Sequence, residues 1–345
     1  MAAAGACASR RSGGGHVREG VAALLEAVGQ PVRVADVHVH AAAPGHAVVR
    51  MVAARLGEAD RATWSGAFSG RLPLVMGAEG AGIVEEVGPG VTRVAPGDHV
   101  VVADARAFVP GRPGASAAFR PLGTFATYAV VPQSRLVRVH PAVPLRRVAE
   151  AGGATLSGYA AGKHAGDLAV CGSLLVVGLG EVGEGALAAA LTGPAARVVA
   201  LDRRPDRLEW ARALGVEAID AARPGFGRLV RAATGGHGAD AAVLTGDAGG
   251  PTIRASNLLR PGGAVVHAMR AAFIAAPHRS GGWDAADGPA GDDPERLVDR
   301  FAHDRPAVTA LSGPDGDLED LSELLAAGDR AGAVAALIEL SFDMP

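Results

Sequence analysis

The chain has 345 residues, enough for two domains each with its own core. Its 33 basic and 36 acidic residues leave a formal charge of −3, which removes any electrostatic ground for a nucleic-acid or anionic-membrane partner. Lys163 is the only lysine, and Cys7 and Cys171 are the only cysteines, so no disulfide framework is expected and a reducing, cytoplasmic location is. No apolar run is long and uninterrupted enough to cross a bilayer.

Residues 1–16 are rich in Ala, Gly and Ser without an apolar core followed by a cleavage signal, and read as a disordered tail. From Val21 to about Arg138, short Val-rich segments at 32–40, 47–52 and 82–87 alternate with Gly/Pro turns, the pattern of a compact β-rich domain. From about Ala154 the pattern changes to strand 174–177, helix 183–191 and strand 197–201. Helix 208–214, a strand end at 218–220, helix 226–234 and strands at 239–244 and 263–267 follow. That alternation predicts right-handed βαβ units in a doubly wound parallel sheet. Helices at 294–302 and 318–327 then lead into an apolar strand at 334–340.

Gly178-Leu179-Gly180-Glu181-Val182-Gly183 follows an apolar strand and opens a helix, and Asp202 ends the next strand roughly 20 residues on. Glycines there permit a tight turn and close backbone approach, and a helix N-terminus favours a pyrophosphate. Asp202 would accept hydrogen bonds from an adenosine ribose and repel a 2′-phosphate, favouring NAD(H) over NADP(H). Arg203 beside it moderates that preference, and Thr245 joins the site from the end of a later strand.

Several segments, in one order, carry a family resemblance: Val48 to Met51, Met76-Gly77-Ala78-Glu79-Gly80-Ala81-Gly82 and onward to His99, Leu122 to Pro132, the Gly178–Gly183 loop, Thr234 to Asp240, and Leu259-Arg260-Pro261-Gly262-Gly263. Together they resemble the zinc-type medium-chain alcohol dehydrogenase family, and within it the actinobacterial, glutathione- or mycothiol-linked branch. The resemblance implies an α/β protein: a partly open, GroES-like β-barrel substrate domain over 17–153, completed by about 305–345, and a Rossmann dinucleotide-binding domain over 154–304. It also implies dimerisation by joined sheet edges. Residues 280–289, rich in Asp, Gly and Pro, replace the apolar edge strand, so a weakened homodimer is expected.

In that family a Cys, a His and a second Cys hold a catalytic zinc with one position open to substrate. The corresponding positions are Gly57, Ala78 and Gly153, so no catalytic zinc is expected. The proton-relay positions read Ala59 and Ala62, and the structural-zinc lobe is a cysteine-free stretch at 103–120. Asp60 and Glu79 correspond to carboxylates that support the zinc. They could instead pair with Arg61, Arg55 or Arg120, or, with Glu58, hold Mg²⁺ or Mn²⁺. His38, His40 and His46 lack a further converging ligand and read as surface or turn residues. Two changes weigh on cofactor affinity: Glu181 inside the phosphate loop and Glu58 where relatives often carry Arg or His. A phosphate-binding Arg falls at Gly332, with Arg330 close by.

Two functions follow. One is a zinc-independent NAD(H)-linked oxidoreductase moving hydride to or from a small carbonyl or activated-alkene substrate, with Ser157, Tyr159, His164 or Tyr128 as hydrogen-bond or proton donor. The other is a catalytically degenerate descendant that binds a small molecule or a protein. Ordinary zinc-dependent alcohol oxidation is opposed by the residues themselves.

Overall fold

The computed structural model describes residues 17–67, 72–103, 123–149, 152–245, 257–268, 294–304, 316–327 and 336–340. The N-terminal tail, nearly all of the former zinc lobe, the 280–289 segment, Arg330 and Gly332 lie outside these.

The first half is antiparallel. Strands β1 (Arg18–Leu25) and β2 (Arg33–Val39) pair along their length, and β3 (His46–Leu56) leads into the short helix α1 (Glu58–Trp64). Then come β4 (Leu74–Val75), β5 (Glu79–Val87), β6 (His99–Val102), β7 (Tyr128–Pro132) and β8 (Leu136–Val139). They form a three-stranded sheet in the order β2-β1-β4 and a larger sheet built on β3, which pairs with both β5 and β7. Most of β3 is buried, and Val49, Met51 and Leu56 join a core shared with Phe125, Met76 and Val100.

Helices α2 (Leu145–Ala149) and α3 (Gly153–Leu168) cross to the parallel half. There β9 (Ser173–Val177), α4 (Glu181–Thr192), β10 (Arg197–Asp202), α5 (Pro205–Ala213), β11 (Glu217–Asp220), α6 (Phe226–Ala233), β12 (Ala239–Thr245) and β13 (Leu259–Ala268) build a five-stranded sheet in the order β11-β10-β9-β12-β13. Every residue of β9 is buried, as expected of a central parallel strand covered on both faces. Helix α7 (Pro294–Asp304) packs on α3 and α4, and Leu321 and Leu325 of α8 (Leu321–Ala327) join the antiparallel core. Finally β14 (Ala336–Glu339) returns to the edge of the first half's sheet beside β3.

Several boundaries differ from the sequence expectation, α5 beginning at Pro205 rather than 208 and β5 at Glu79 rather than 82. Helix α4 starts two residues early, at Glu181, because Gly180 takes the N-cap conformation. Strand β13 begins at Leu259, and a register shift between Ala239 and Ala241 of β12 lets Pro261, Gly262 and Gly263 bulge out of the ladder. Helix α8 begins at Leu321 rather than 318, after a turn in which Asp317 and Asp320 take up backbone N–H groups. Among the described residues, no helix is long and apolar enough to cross a membrane.

Candidate functional site

The glycine loop lies at the C-terminal ends of β9, β10 and β12, where an open parallel sheet offers its crevice. Gly178 has φ +87°, a conformation that favours glycine. A Cβ on Gly183 would strike the Gly178 carbonyl oxygen, so the third glycine is what lets α4 sit this close to the strand end. Thr245 donates its hydroxyl to the Val177 carbonyl at 3.0 Å, fixing the end of β12 to the loop. Asp202 Oδ2 accepts the Leu179 N–H at 2.6 Å, while Oδ1 accepts the N–H groups of Arg203 and Arg204 at 2.7 and 2.9 Å. The structure thus brings Gly178, Leu179, Gly180, Glu181, Val182, Gly183, Asp202, Arg203 and Thr245 to one place. Arg203 is exposed there, and the others are buried.

Glu181 occupies the first turn of α4 and is 1% exposed. Its Oε1 accepts the backbone N–H of Glu58 at 2.7 Å, linking the start of α4 to the start of α1 across the two halves. A Cβ at Gly57 would run into this same oxygen. The Glu58 side chain forms a long ion pair with Arg207 of α5 at 3.4 Å, and Arg207 also lies 3.8 Å from Asp202.

Beside Glu181 sits a guanidinium. Arg55, facing Glu79 across the β3–β5 ladder, donates to Thr155 Oγ1 of α3 at 2.8 Å and to Glu184 Oε2 of α4 at 2.9 Å. Burial works against its charge, but the carboxylates of Glu184, Glu181 and Glu79 outweigh that and hold the guanidinium above its ordinary pKa. Burial likewise pushes the Glu184 carboxyl up, and Arg55 pulls it part of the way back.

The three positions where the family resemblance implies zinc ligands surround this cluster. Gly57 faces Glu181, Gly153 lies beside Glu79 Oε1, and Ala78 precedes Glu79 in the chain. None carries a donor atom, so the residues present do not fit a zinc ion. The three carboxylates weighed for another cation have separate tasks: Asp60 accepts the Gly57 N–H at 3.0 Å, Glu58 meets Arg207, and Glu79 interacts with Arg55. Among the described residues, no group of three His, Cys, Asp or Glu side chains could hold a metal ion.

Ser157 and Tyr159 are fully buried in α3, and the Tyr159 ring stands edge-on to Phe301 of α7 at 5.6 Å. Between them Gly158 meets the Val182 carbonyl so closely that a Cβ would overlap it, which brings the α3 backbone against the start of α4. His164 is half-buried two turns beyond Ser157. Tyr128 packs with Val39 and Val48 in a separate cluster of the antiparallel half.

Arg55 with Glu184 is the feature sequence reasoning missed, although Arg55 was among the partners considered for Asp60 and Glu79. The available signal was two charges in apolar surroundings: one ending the run Met51-Val52-Ala53-Ala54, the other inside the small-residue helix α4.

Residues 43–141 match the alcohol dehydrogenase GroES-like domain family. Putative alcohol dehydrogenase D of Mycobacterium tuberculosis is 31% identical over 282 residues, covering 71% of this chain and 76% of that protein. The NDMA-dependent alcohol dehydrogenase of Amycolatopsis methanolica is 29% identical over 259 residues, 65% of this chain and 69% of its own. Among solved structures, an alcohol dehydrogenase from Thermus sp. superposes with a TM-score of 0.68 at 27% identity, covering 92% of this chain and 99% of that one. An alcohol dehydrogenase zinc-binding domain protein from Burkholderia ambifaria reaches 0.75 at 23% identity, over 95% and 100%.

Proposed function

Because the chain belongs to the zinc-type medium-chain alcohol dehydrogenase family, we propose that it is an NAD(H)-linked oxidoreductase that works without a catalytic zinc. Its substrate would be a small carbonyl compound or an activated alkene. One observation carries the reading: the Gly178–Gly183 loop has the close packing a dinucleotide needs, while Gly57, Ala78 and Gly153 stand at the implied zinc-ligand positions beside an arginine–carboxylate cluster. The two relatives named above are alcohol dehydrogenases, which favours hydride transfer between an alcohol and a carbonyl.

The glycine loop fits a pyrophosphate by its backbone, and the buried Glu181 charge opposes it. A nicotinamide, when bound, supplies or accepts the hydride. In this chain the loop N–H groups would bind the phosphates, and Asp202 would disfavour a 2′-phosphate. Ser157, Tyr159 or His164 would hydrogen-bond the oxygen on which charge develops. Addition of hydride to a carbon conjugated with a carbonyl needs no metal to polarise an alcohol, which suits a cleft without ligands.

Glu181 favours a second reading, a degenerate descendant whose dinucleotide loop is held shut by its own side chain. Titration of metal-analysed protein with NADH and NADPH separates the two. Micromolar NADH binding without stoichiometric zinc supports the reductase, and absence of binding at millimolar cofactor rejects it.

A further inference from the structure

Loss of three ligands would leave a gap, yet carboxylates stand beside two of the three positions, Glu181 at Gly57 and Glu79 at Gly153. Arg55 reaches in from β3 and is held by Thr155 of α3 and Glu184 of α4, with Glu79 and Glu181 close enough to stabilise its charge. A guanidinium cannot be deprotonated in a protein, so this is a permanent positive charge in a site where carboxylates converge. Sterically the ligand positions are unequal. A Cβ at Gly153 would sit 3.6 Å from Glu79 Oε1 and 3.9 Å from the Ala103 methyl, an ordinary contact. A Cβ at Gly57 would collide with Glu181 Oε1, which is fixed in place by the Glu58 N–H.

We infer that Arg55 is the resident cation of this cleft and that Glu181 fills the room of a side chain at position 57, so that these two residues bar a zinc ion even where ligands are restored. A divalent ion would have to enter beside a fixed guanidinium, and Arg55 already draws on the carboxylates that would neutralise it. The same contacts join the antiparallel half to the parallel half, a task the cluster performs with side chains alone. This inference rests on the reading of the cleft as metal-free.

The test compares zinc per chain, by elemental mass spectrometry after dialysis at buffered nanomolar free zinc, in three proteins. These are the unmodified chain, a chain with Gly57→Cys, Ala78→His and Gly153→Cys, and that chain with Arg55→Gly and Glu181→Gly added. Little zinc in the second and about one ion in the third is expected, held by three protein ligands with a water completing the tetrahedron. Stoichiometric zinc in the second, or none in a folded third, overturns the inference. Zinc in the unmodified chain overturns both this and the metal-free reading. Should the third protein lack a cooperative thermal transition, the three-ligand chain with Arg55→Met or with Glu181→Gly added singly serves in its place. Either addition should raise the zinc retained above that of the second protein, and two folded variants that hold no more zinc than the second overturn the inference.

Discussion

Glu181 Oε1 accepts the backbone N–H of Glu58 at 2.7 Å, so a side chain of the dinucleotide loop is tied to the first turn of α1 in the opposite half. A buried carboxylate there repels a pyrophosphate. Like unit charges about 4 Å apart interact by roughly 4 kcal/mol at an effective dielectric of about 20, an upper bound of about a thousandfold in affinity. Glu181→Gly should therefore tighten NADH binding by about tenfold or more, and Glu181→Gln, which keeps an acceptor for Glu58, should give part of that gain. The dissociation constant from nicotinamide fluorescence checks this, and an unchanged value in both variants counts against it.

Asp202 should control the choice between the two dinucleotides. Its carboxylate takes three backbone N–H groups and still presents the negative charge that disfavours a 2′-phosphate. Asp202→Asn removes the charge and leaves one acceptor oxygen, so NADPH should gain on NADH by about tenfold, while the loosened loop costs about 1–2 kcal/mol of stability. Parallel calorimetric titrations with the two cofactors read the ratio. No change in the ratio would remove Asp202 from that role.

How much of this was legible depended on range along the chain. The five buried residues of β9, the glycine loop and Asp202 fall within one βαβ unit, where spacing alone carries the information. Glu181 was visible as an intruder in the loop, but not its hydrogen bond to Glu58, 123 residues away. The Arg55–Glu184 pair spans 129 residues and joins the antiparallel half to the parallel half, so no local periodicity could report it. Tyr159 and Ser157 read as cleft residues from their neighbourhood, and only packing against Phe301 and α4 shows how deeply they are enclosed.

Asp240 should make stability depend on acid. Its carboxylate accepts the Ser173 N–H at 2.7 Å and the Arg260 Nε–H at 2.5 Å, and these bonds hold its pKa below the ordinary 3.8. A depressed value means the contribution is present above the unfolded-state pKa and is lost as pH falls through the folded one. With the side chain 27% exposed, Asp240→Asn should cost about 1–2 kcal/mol near neutrality. The cost should hold steady at neutral pH and shrink below about pH 4. Urea unfolding across pH measures it, and a cost that grows toward acid would contradict the assignment.

Two glycines of α3 should respond to alanine in opposite directions. At Gly166 a Cβ would meet only Pro194 Cδ, at 3.4 Å, so Gly166→Ala gains helix propensity without a clash and should stabilise by about 0.5–1 kcal/mol. At Gly158 the same methyl would overlap the Val182 carbonyl, where α3 presses on the start of α4. The propensity gain there is outweighed by overpacking, so Gly158→Ala should destabilise by about 1–3 kcal/mol and displace the glycine loop. Its NADH affinity should fall, while Gly166→Ala leaves affinity untouched. If both variants shift the urea midpoint in the same direction, the close approach of α3 to Val182 is not what holds the loop in position.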